Sequence, residues 1–173
     1  MTGVLRRGLP PDLRSWLIDT ASLTERLQRL YGRAFRVRVR GQRWLRPAFS
    51  ERVALGMADH RTALVREVHL LRGAMPVVFA RTVMPAEALC GSGRRLARLG
   101  NRPLGAMLFA DHRIARLGLE IAQVDPRHAL YTAATGRADG RAIWGRRSVF
   151  VVGNQPILVN ELFLPALLSG TAD

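Results

Sequence analysis

The sequence predicts an α+β fold, in which helices come first and a run of mostly antiparallel strands follows. Helical segments with clear end signals open the chain, and short alternating or apolar segments fill most of the remainder. Pairs of these segments are joined by short turns, which is typical of hairpins rather than of strand–helix–strand units. At 173 residues the chain is expected to form a single domain over residues 1–173.

Signals for helix ends mark the predicted helices. Prolines precede an apolar segment over residues 13–18, and residues 22–25 carry the capping-box pattern that starts a second helix. Gly32 ends this second helix. Shorter helical segments are predicted over residues 94–99 and 103–109.

Alternation of apolar and polar residues predicts the strands. Residues 35–40 alternate strictly, with arginine at every polar position. The remaining strand segments form two hairpins and one single strand, over residues 62–71, 77–84, 114–124, 143–152 and 157–164. The predicted hairpin turns are residues 72–74 and 153–156, and residues 125–141 are predicted to be a loop.

The positive charge of the chain comes from arginine alone. There are 27 basic and 13 acidic residues, giving a net charge of +14, and no lysine is present. Complete replacement of lysine indicates coding bias in a GC-rich genome, and the arginines are dispersed, so nucleic-acid binding is not expected as the main role. The absence of lysine excludes Schiff-base catalysis, pyridoxal-phosphate attachment and a Walker-type phosphate loop.

Composition also bears on location and metal binding. The single cysteine, Cys90, cannot form an internal disulfide and fits the reducing cytoplasm. No apolar run approaches the roughly 20 residues of a membrane helix, and the N-terminal segment lacks the apolar centre of a secretory signal. The four histidines have no paired spacing, so no metal site is predicted.

Charged residues fall on apolar faces of three predicted strands. Glu161 shares a strand face with Val159 and Phe163, and such a carboxylate must either pair with a cation or take up a proton. By the same alternation, Arg66 and Arg81 share faces with aliphatic and aromatic residues of the first hairpin. An internal ion pair would explain one arginine, but two arginines leave a surplus charge that favours a pocket for a small carboxylic acid.

Five short blocks of the sequence resemble the bacterial chorismate lyases. The blocks occur in the order of that family and span most of residues 60–165: Leu64-Val65-Arg66-Glu67-Val68, Ala80-Arg81-Thr82-Val83-Met84-Pro85, Leu99-Gly100 followed by Pro103-Leu104-Gly105 and Leu108-Phe109, Trp144-Gly145-Arg146-Arg147-Ser148, and Glu161-Leu162-Phe163-Leu164-Pro165. The N-terminal third matches through Trp16-Leu17 and Ser22-Leu23-Thr24.

The resemblance implies one six-stranded antiparallel sheet whose helices cover an enclosed site, in a monomer that needs no cofactor. The implied reaction converts chorismate to 4-hydroxybenzoate and pyruvate, the first step of ubiquinone synthesis. By position, Arg66 resembles the arginine that binds a carboxylate, Arg81 a second pocket cation, and Glu161 the acid near the ring hydroxyl. Leu23 and Leu104 resemble positions whose backbone groups meet the ligand. The sequence departs from the family at Leu23, where a methionine is usual, and in a longer loop over residues 125–141.

Two other classes of function stay open at this point. One is a non-catalytic module of the same fold that binds a small acid, as in the effector-binding domains of some transcription regulators. No helix-turn-helix segment is apparent before residue 35. The other class is a basic protein that binds RNA or DNA, which a salt-dependent gel shift would detect.

Overall fold

The computed structural model describes residues 8–169, and both ends of the predicted domain, residues 1–7 and 170–173, lie outside the described residues. The helices are α1 (Pro11–Leu17), α2 (Leu23–Tyr31), α3 (Phe49–Leu55), α4 (Leu104–Ala110) and α5 (Ala129–Thr135). The strands are β1 (Phe35–Leu45), β2 (Ala63–Arg72), β3 (Met75–Pro85), β4 (Ala115–Val124), β5 (Ile143–Val152) and β6 (Gln155–Phe163). Short 3₁₀ helices cover Gly32–Ala34, Ala86–Leu89, Gly91–Arg98 and Pro165–Leu167.

The strands form a six-stranded sheet in the order β1-β2-β3-β6-β5-β4. Every neighbouring pair is antiparallel. The hairpins β2–β3 and β5–β6 lie side by side in the centre because β3 pairs with β6, and this pairing joins two distant parts of the chain. The α+β class and the single six-stranded antiparallel sheet are confirmed.

A different set of helices covers each face of the sheet. On one face, α1 and α2 pack over one end, and the 3₁₀ helix Gly91–Arg98 packs with α4 over the other end. On the opposite face, α3 and α5 pack over the apolar residues of the central strands. We call the first face, which carries Arg66 and Glu161, the cavity face, and the second face the α3/α5 face.

Three elements differ from the sequence-based predictions. Strand β1 continues past residue 40 to Leu45, because a bulge between Val39 and Gly41 keeps the longer strand paired with β2. Helix α3 was not predicted. Residues 125–141, predicted to be a loop, contain α5, whose first turn is capped by the His128 side chain and whose last turn ends at Gly136 in the left-handed conformation.

Within the described residues, no helix has the length and apolar character needed to cross a membrane.

Candidate active site

A cavity lies between the cavity face of the sheet and helices α2 and α4. Its lining residues surround about 630 Å³ of empty space, part of which is open to solvent. Each of the six strands contributes to the lining, together with the first residues of α2 and most of α4. The charged lining residues are Arg66, Arg116, Arg146 and Glu161.

Glu161 is paired with Arg146 across the β5–β6 hairpin. The Nε of Arg146 donates to Oε2 of Glu161 at 2.6 Å, and the two residues lie directly opposite each other in the strand register. The Arg146 side chain is only 1% exposed, and its Nη1 donates to the backbone carbonyl of Trp16 in the last turn of α1 and to that of Asp19 just after this helix. Glu161, 18% exposed, thus has a fixed orientation with one oxygen, Oε1, outside this bond.

Arg66 reaches the cavity from β2 without a carboxylate partner. Its Nη1 donates to the carbonyl of Gly100 at 2.8 Å and its Nη2 to that of Arg102 at 3.2 Å. Burial lowers the pKa of Arg66, because the charged form loses hydration, but a guanidinium remains protonated at neutral pH. The backbone carbonyls hold this cation in place without neutralising it.

Arg116 is a second cavity arginine without a carboxylate bond. It extends from β4, where its Nε and Nη2 donate to the Ser148 hydroxyl at 2.9 and 2.7 Å and its Nη1 donates to the Thr20 carbonyl at 3.0 Å. Burial lowers the pKa of Arg116, and the charge of Arg146 lowers it further, against the opposing effects of Glu161 and Asp19.

The charged lining therefore carries two surplus positive charges. Three arginines face a single carboxylate, and one arginine is already bonded to that carboxylate. Positive charge is costly to bury without a counterion. The arrangement is suited to a ligand with two negative charges.

The first residues of α2 and α4 close the cavity on the side away from the sheet. Leu23 and Leu104, both expected from the sequence to meet the ligand, line the cavity and are the first residues of these helices. The helices approach so closely that a Cβ at Gly105 would lie 2.7 Å from Oγ1 of Thr24. A larger residue at this position would require the Thr24 side chain or one of the two helices to shift.

Arg81 is not part of the cavity, and the expectation that it is a pocket residue is wrong. The β2–β3 register places Arg66 opposite Thr82 and Arg81 opposite Glu67, so Arg81 projects from the α3/α5 face. There its Nε donates to Glu51 at 2.8 Å and its Nη1 to Glu67 at 2.6 Å. These carboxylates raise the pKa of Arg81 although its burial opposes them. Its surplus charge is therefore neutralised within the fold.

The pocket residues missed in the sequence include Arg116, Arg146 and Ser148. For Arg146 a signal was present, because a two-residue turn at Gly153 and Asn154 places it opposite Glu161. The predicted four-residue turn concealed this pairing, whereas positive φ angles at both turn residues are typical of the tight hairpin turn. Arg116 gave no comparable signal, since β4 reaches β5 through a long connection and contains a register shift after Leu117.

The described residues contain no group of three or more histidine, cysteine, aspartate or glutamate side chains placed to hold a metal ion.

The fold and the cationic lining define an α+β protein with a cavity against one face of its sheet that is suited to a small anionic ligand. A similar fold occurs in the crystal structure of the ligand-binding domain of a GntR-family transcriptional regulator from Bordetella bronchiseptica. That structure has a TM-score of 0.54 and 18% identity, and the match covers 76% of this chain and 86% of that one. At this identity the similarity concerns the fold alone.

Sequence comparison identifies the family. A sequence model of the chorismate lyase family matches residues 7–171. A protein of Methylococcus capsulatus named probable chorismate pyruvate-lyase is 45% identical over 91% of this chain and 97% of its own. A protein of Thiobacillus denitrificans with the same name is 47% identical over 92% of this chain and 86% of its own. The chain belongs to the chorismate lyase family, a family of carbon–oxygen lyases.

Proposed function

We propose that this protein removes the enolpyruvyl group of chorismate to give 4-hydroxybenzoate and pyruvate. The observation that carries the proposal is the surplus of two positive charges in the cavity lining, since chorismate has two carboxylates. Family membership and the names of the relatives support the same reaction. No step of this reaction needs a metal or an organic cofactor.

Arg66 is suited to hold the ring carboxylate. A guanidinium fixed by two backbone carbonyls keeps further N–H groups available, and its planar arrangement of donors matches a carboxylate. Leu23 and Leu104 would contribute backbone N–H groups, because the first N–H groups of a helix have no partner within that helix. These contacts would fix the ring before the reaction begins.

The reaction breaks the ether bond between C3 of the ring and the enolpyruvyl oxygen, and the electron pair of that bond leaves with the oxygen. A proton departs from C4, the ring becomes aromatic, and the released enolpyruvate takes up a proton to become pyruvate. The gain of aromaticity supplies the driving force, so the protein has to orient the ring and stabilise the charge on the departing oxygen.

Glu161 is suited to interact with C4 and its hydroxyl group. Arg146 fixes one carboxylate oxygen of Glu161 and leaves Oε1 for the ligand. In that position Glu161 either accepts the ring proton or holds the hydroxyl group by a hydrogen bond. The bond from Arg146 pairs this carboxylate with a cation in a largely apolar cavity.

A non-catalytic module that binds a small acid is the second candidate, because the similar solved structure is described as a ligand-binding domain. Incubation of the purified protein with chorismate decides between the two. The proposed enzyme forms 4-hydroxybenzoate, measured by chromatography, and pyruvate, measured with lactate dehydrogenase, in equal amounts. Saturable binding of chorismate without formation of either compound would support the module and contradict the enzyme.

The proposal includes a cytoplasmic monomer whose product enters ubiquinone synthesis. The single exposed Cys90 and the resemblance of the sequence to the family support this part. Light scattering on the purified protein measures the oligomeric state. Deletion of the gene in its host, with growth restored by added 4-hydroxybenzoate, tests the role in the pathway.

A further inference from the structure

We propose that Arg116 binds the enolpyruvyl carboxylate of the substrate, and that Arg66 and Arg116 divide the two carboxylates of chorismate between them. This inference rests on the proposed function. It assigns a role in substrate recognition to a residue that the sequence pattern did not indicate.

The two arginines approach the cavity from separated strands. Arg66 lies on β2 and Arg116 on β4, and the sheet order places β3, β6 and β5 between them. Four strand spacings separate the two backbones by about 19 Å, measured along the sheet. Both residues line the same cavity, and their strands lie on opposite sides of β6 in the sheet. This spacing suits a ligand with a negative charge at each end better than a ligand with a single negative charge.

Arg116 retains donors for a ligand. A guanidinium has five N–H groups, and three bonds of Arg116 to the protein go to neutral oxygens of Ser148 and Thr20. The described part of the chain offers Arg116 no direct ion pair, whereas Arg146 has Glu161. Arg116 is therefore the cavity cation, besides Arg66, whose charge no carboxylate bond neutralises.

The bonding partners of the two cations indicate which carboxylate each one takes. Arg116 bonds Ser148, which lies two residues along β5 from Arg146, the partner of Glu161. Arg66 instead bonds the carbonyls of Gly100 and Arg102, away from Glu161. If Glu161 interacts with C4, the neighbouring C3 and its enolpyruvyl ether lie at the same end of the cavity. Arg116 is then the cation beside the departing group, and Arg66 is the cation at the C1 carboxylate.

This assignment predicts that Arg116 distinguishes substrate from product. Chorismate has two carboxylates, but 4-hydroxybenzoate keeps only the ring carboxylate. Loss of Arg116 should weaken the binding of the dianion and leave that of the product nearly unchanged. Loss of Arg66 should weaken both.

The test compares Arg116→Gln with Arg66→Gln in two equilibrium measurements and one kinetic one. Calorimetry gives the Kd of 4-hydroxybenzoate and of 3-carboxymethoxy-4-hydroxybenzoate, a stable aromatic acid that carries a second carboxylate at the position of the ether. For Arg116→Gln we expect kcat/KM on chorismate to fall about 10²-fold, as for removal of one preorganised electrostatic donor. The Kd of the dicarboxylate should rise by a similar factor and that of 4-hydroxybenzoate by less than about threefold.

The outcomes separate this inference from the proposed function. Absence of chorismate turnover in the unsubstituted protein overturns the proposed function, while the two dissociation constants still test the role of Arg116. An equal rise in both constants for Arg116→Gln, or no change in either, overturns the inference. Thermal unfolding shows whether the variant is folded. If Arg116→Gln is not folded, Arg116→Lys replaces it, because lysine keeps the charge but not the planar donors. Arg116→Lys should weaken binding of the dicarboxylate about tenfold more than binding of the product. Equal weakening of the two overturns the inference.

Discussion

Arg146 connects Glu161 to the C-terminal end of α1. Its Nε bonds Glu161 at 2.6 Å, while its Nη1 donates to the carbonyls of Trp16 and Asp19 at 2.8 and 2.6 Å. One buried guanidinium therefore orients the Glu161 carboxylate and ties the end of α1 to the sheet. This double role explains why the largest fully buried side chain of the described residues is charged.

Arg146→Ala should destabilise the protein strongly. Removing one partner of a buried ion pair leaves the other charge without compensation, and we expect a loss of about 3–5 kcal/mol in the free energy of unfolding. Urea denaturation followed by circular dichroism measures this loss. Arg147→Ala is a matched control, because the adjacent Arg147 pairs with Glu120, which is 46% exposed, and should cost only about 1 kcal/mol. Equal losses for the two variants would contradict the role of Arg146.

The extent to which the sequence predicts the cavity depends on strand register. Alternation along each strand correctly places Glu161 and Arg66 on apolar faces, and both line the cavity. Alternation cannot show which face of one strand matches which face of the next, because a shift by one residue reverses every side chain. Arg81 has apolar neighbours along its strand, as Arg66 does, but the strand register places it on the α3/α5 face.

Long-range pairing accounts for the other differences. The β3–β6 pairing that brings Arg66 near Glu161 joins residues about 80 positions apart and has no local signal in the sequence. Helix α5 was missed because its seven residues are stabilised by burial of Leu130, Tyr131 and Ala134 against the sheet rather than by strong propensity. Elements with local signals, such as α2 with its N-cap at Ser22, are predicted within a residue.

Glu161→Gln should separate proton transfer from orientation of the ring. The amide carbonyl of glutamine can still accept the bond from Arg146, but it cannot accept a proton from C4. We expect kcat to fall about 10²–10⁴-fold, the usual contribution of a general base, while the Kd of 4-hydroxybenzoate changes only a few-fold. Steady-state kinetics and calorimetry measure the two quantities.

Glu120→Gln is the control for this substitution, since Glu120 also bonds an arginine of β5, but on the α3/α5 face. It should leave both kcat and product binding unchanged. If Glu161→Gln abolishes product binding along with turnover, Glu161 acts by holding the ring and the proton-transfer role is wrong.

Gly105→Ala should separate the helices that cover the cavity. The new Cβ would lie 2.7 Å from Oγ1 and 3.3 Å from Cβ of Thr24, so α2 or α4 must move. A displacement of about 1 Å at a positioned substrate can cost about 10²-fold in rate, and we expect kcat/KM to fall toward that value. Fixed-time assays of chorismate turnover measure the change in kcat/KM.

A second substitution tests the cause of this effect. Thr24→Ala removes the hydroxyl of the closer contact, so the double variant Thr24→Ala/Gly105→Ala should recover a large part of the activity that Gly105→Ala alone loses. Additive losses in the double variant would show that the contact between the two helices is not the cause.

His69 should make the stability of the protein depend on pH. Its Nε2 lies 3.0 Å from the carbonyl of Ala134 at the end of α5, so the neutral ring must donate this proton. Burial lowers the pKa of His69, and the nearby charges of Arg40 and Arg38 lower it further, although the bond to Ala134 opposes them. The folded state therefore favours the neutral imidazole more than the unfolded chain does.

The sign of the pH effect follows from proton binding. The unfolded histidine has a pKa of about 6.5, and below this pH the unfolded chain binds more protons than the folded protein. The contribution of His69 to the free energy of unfolding is therefore complete above pH 6.5. It is lost as the pH falls through the lower pKa of the folded state.

The free energy of unfolding, measured by urea titration between pH 7.5 and 5, should decrease more for the unsubstituted protein than for His69→Gln. His60→Gln is the control, because His60 is exposed and lies outside α5. Equal slopes for the unsubstituted protein and His69→Gln would contradict the assignment to His69.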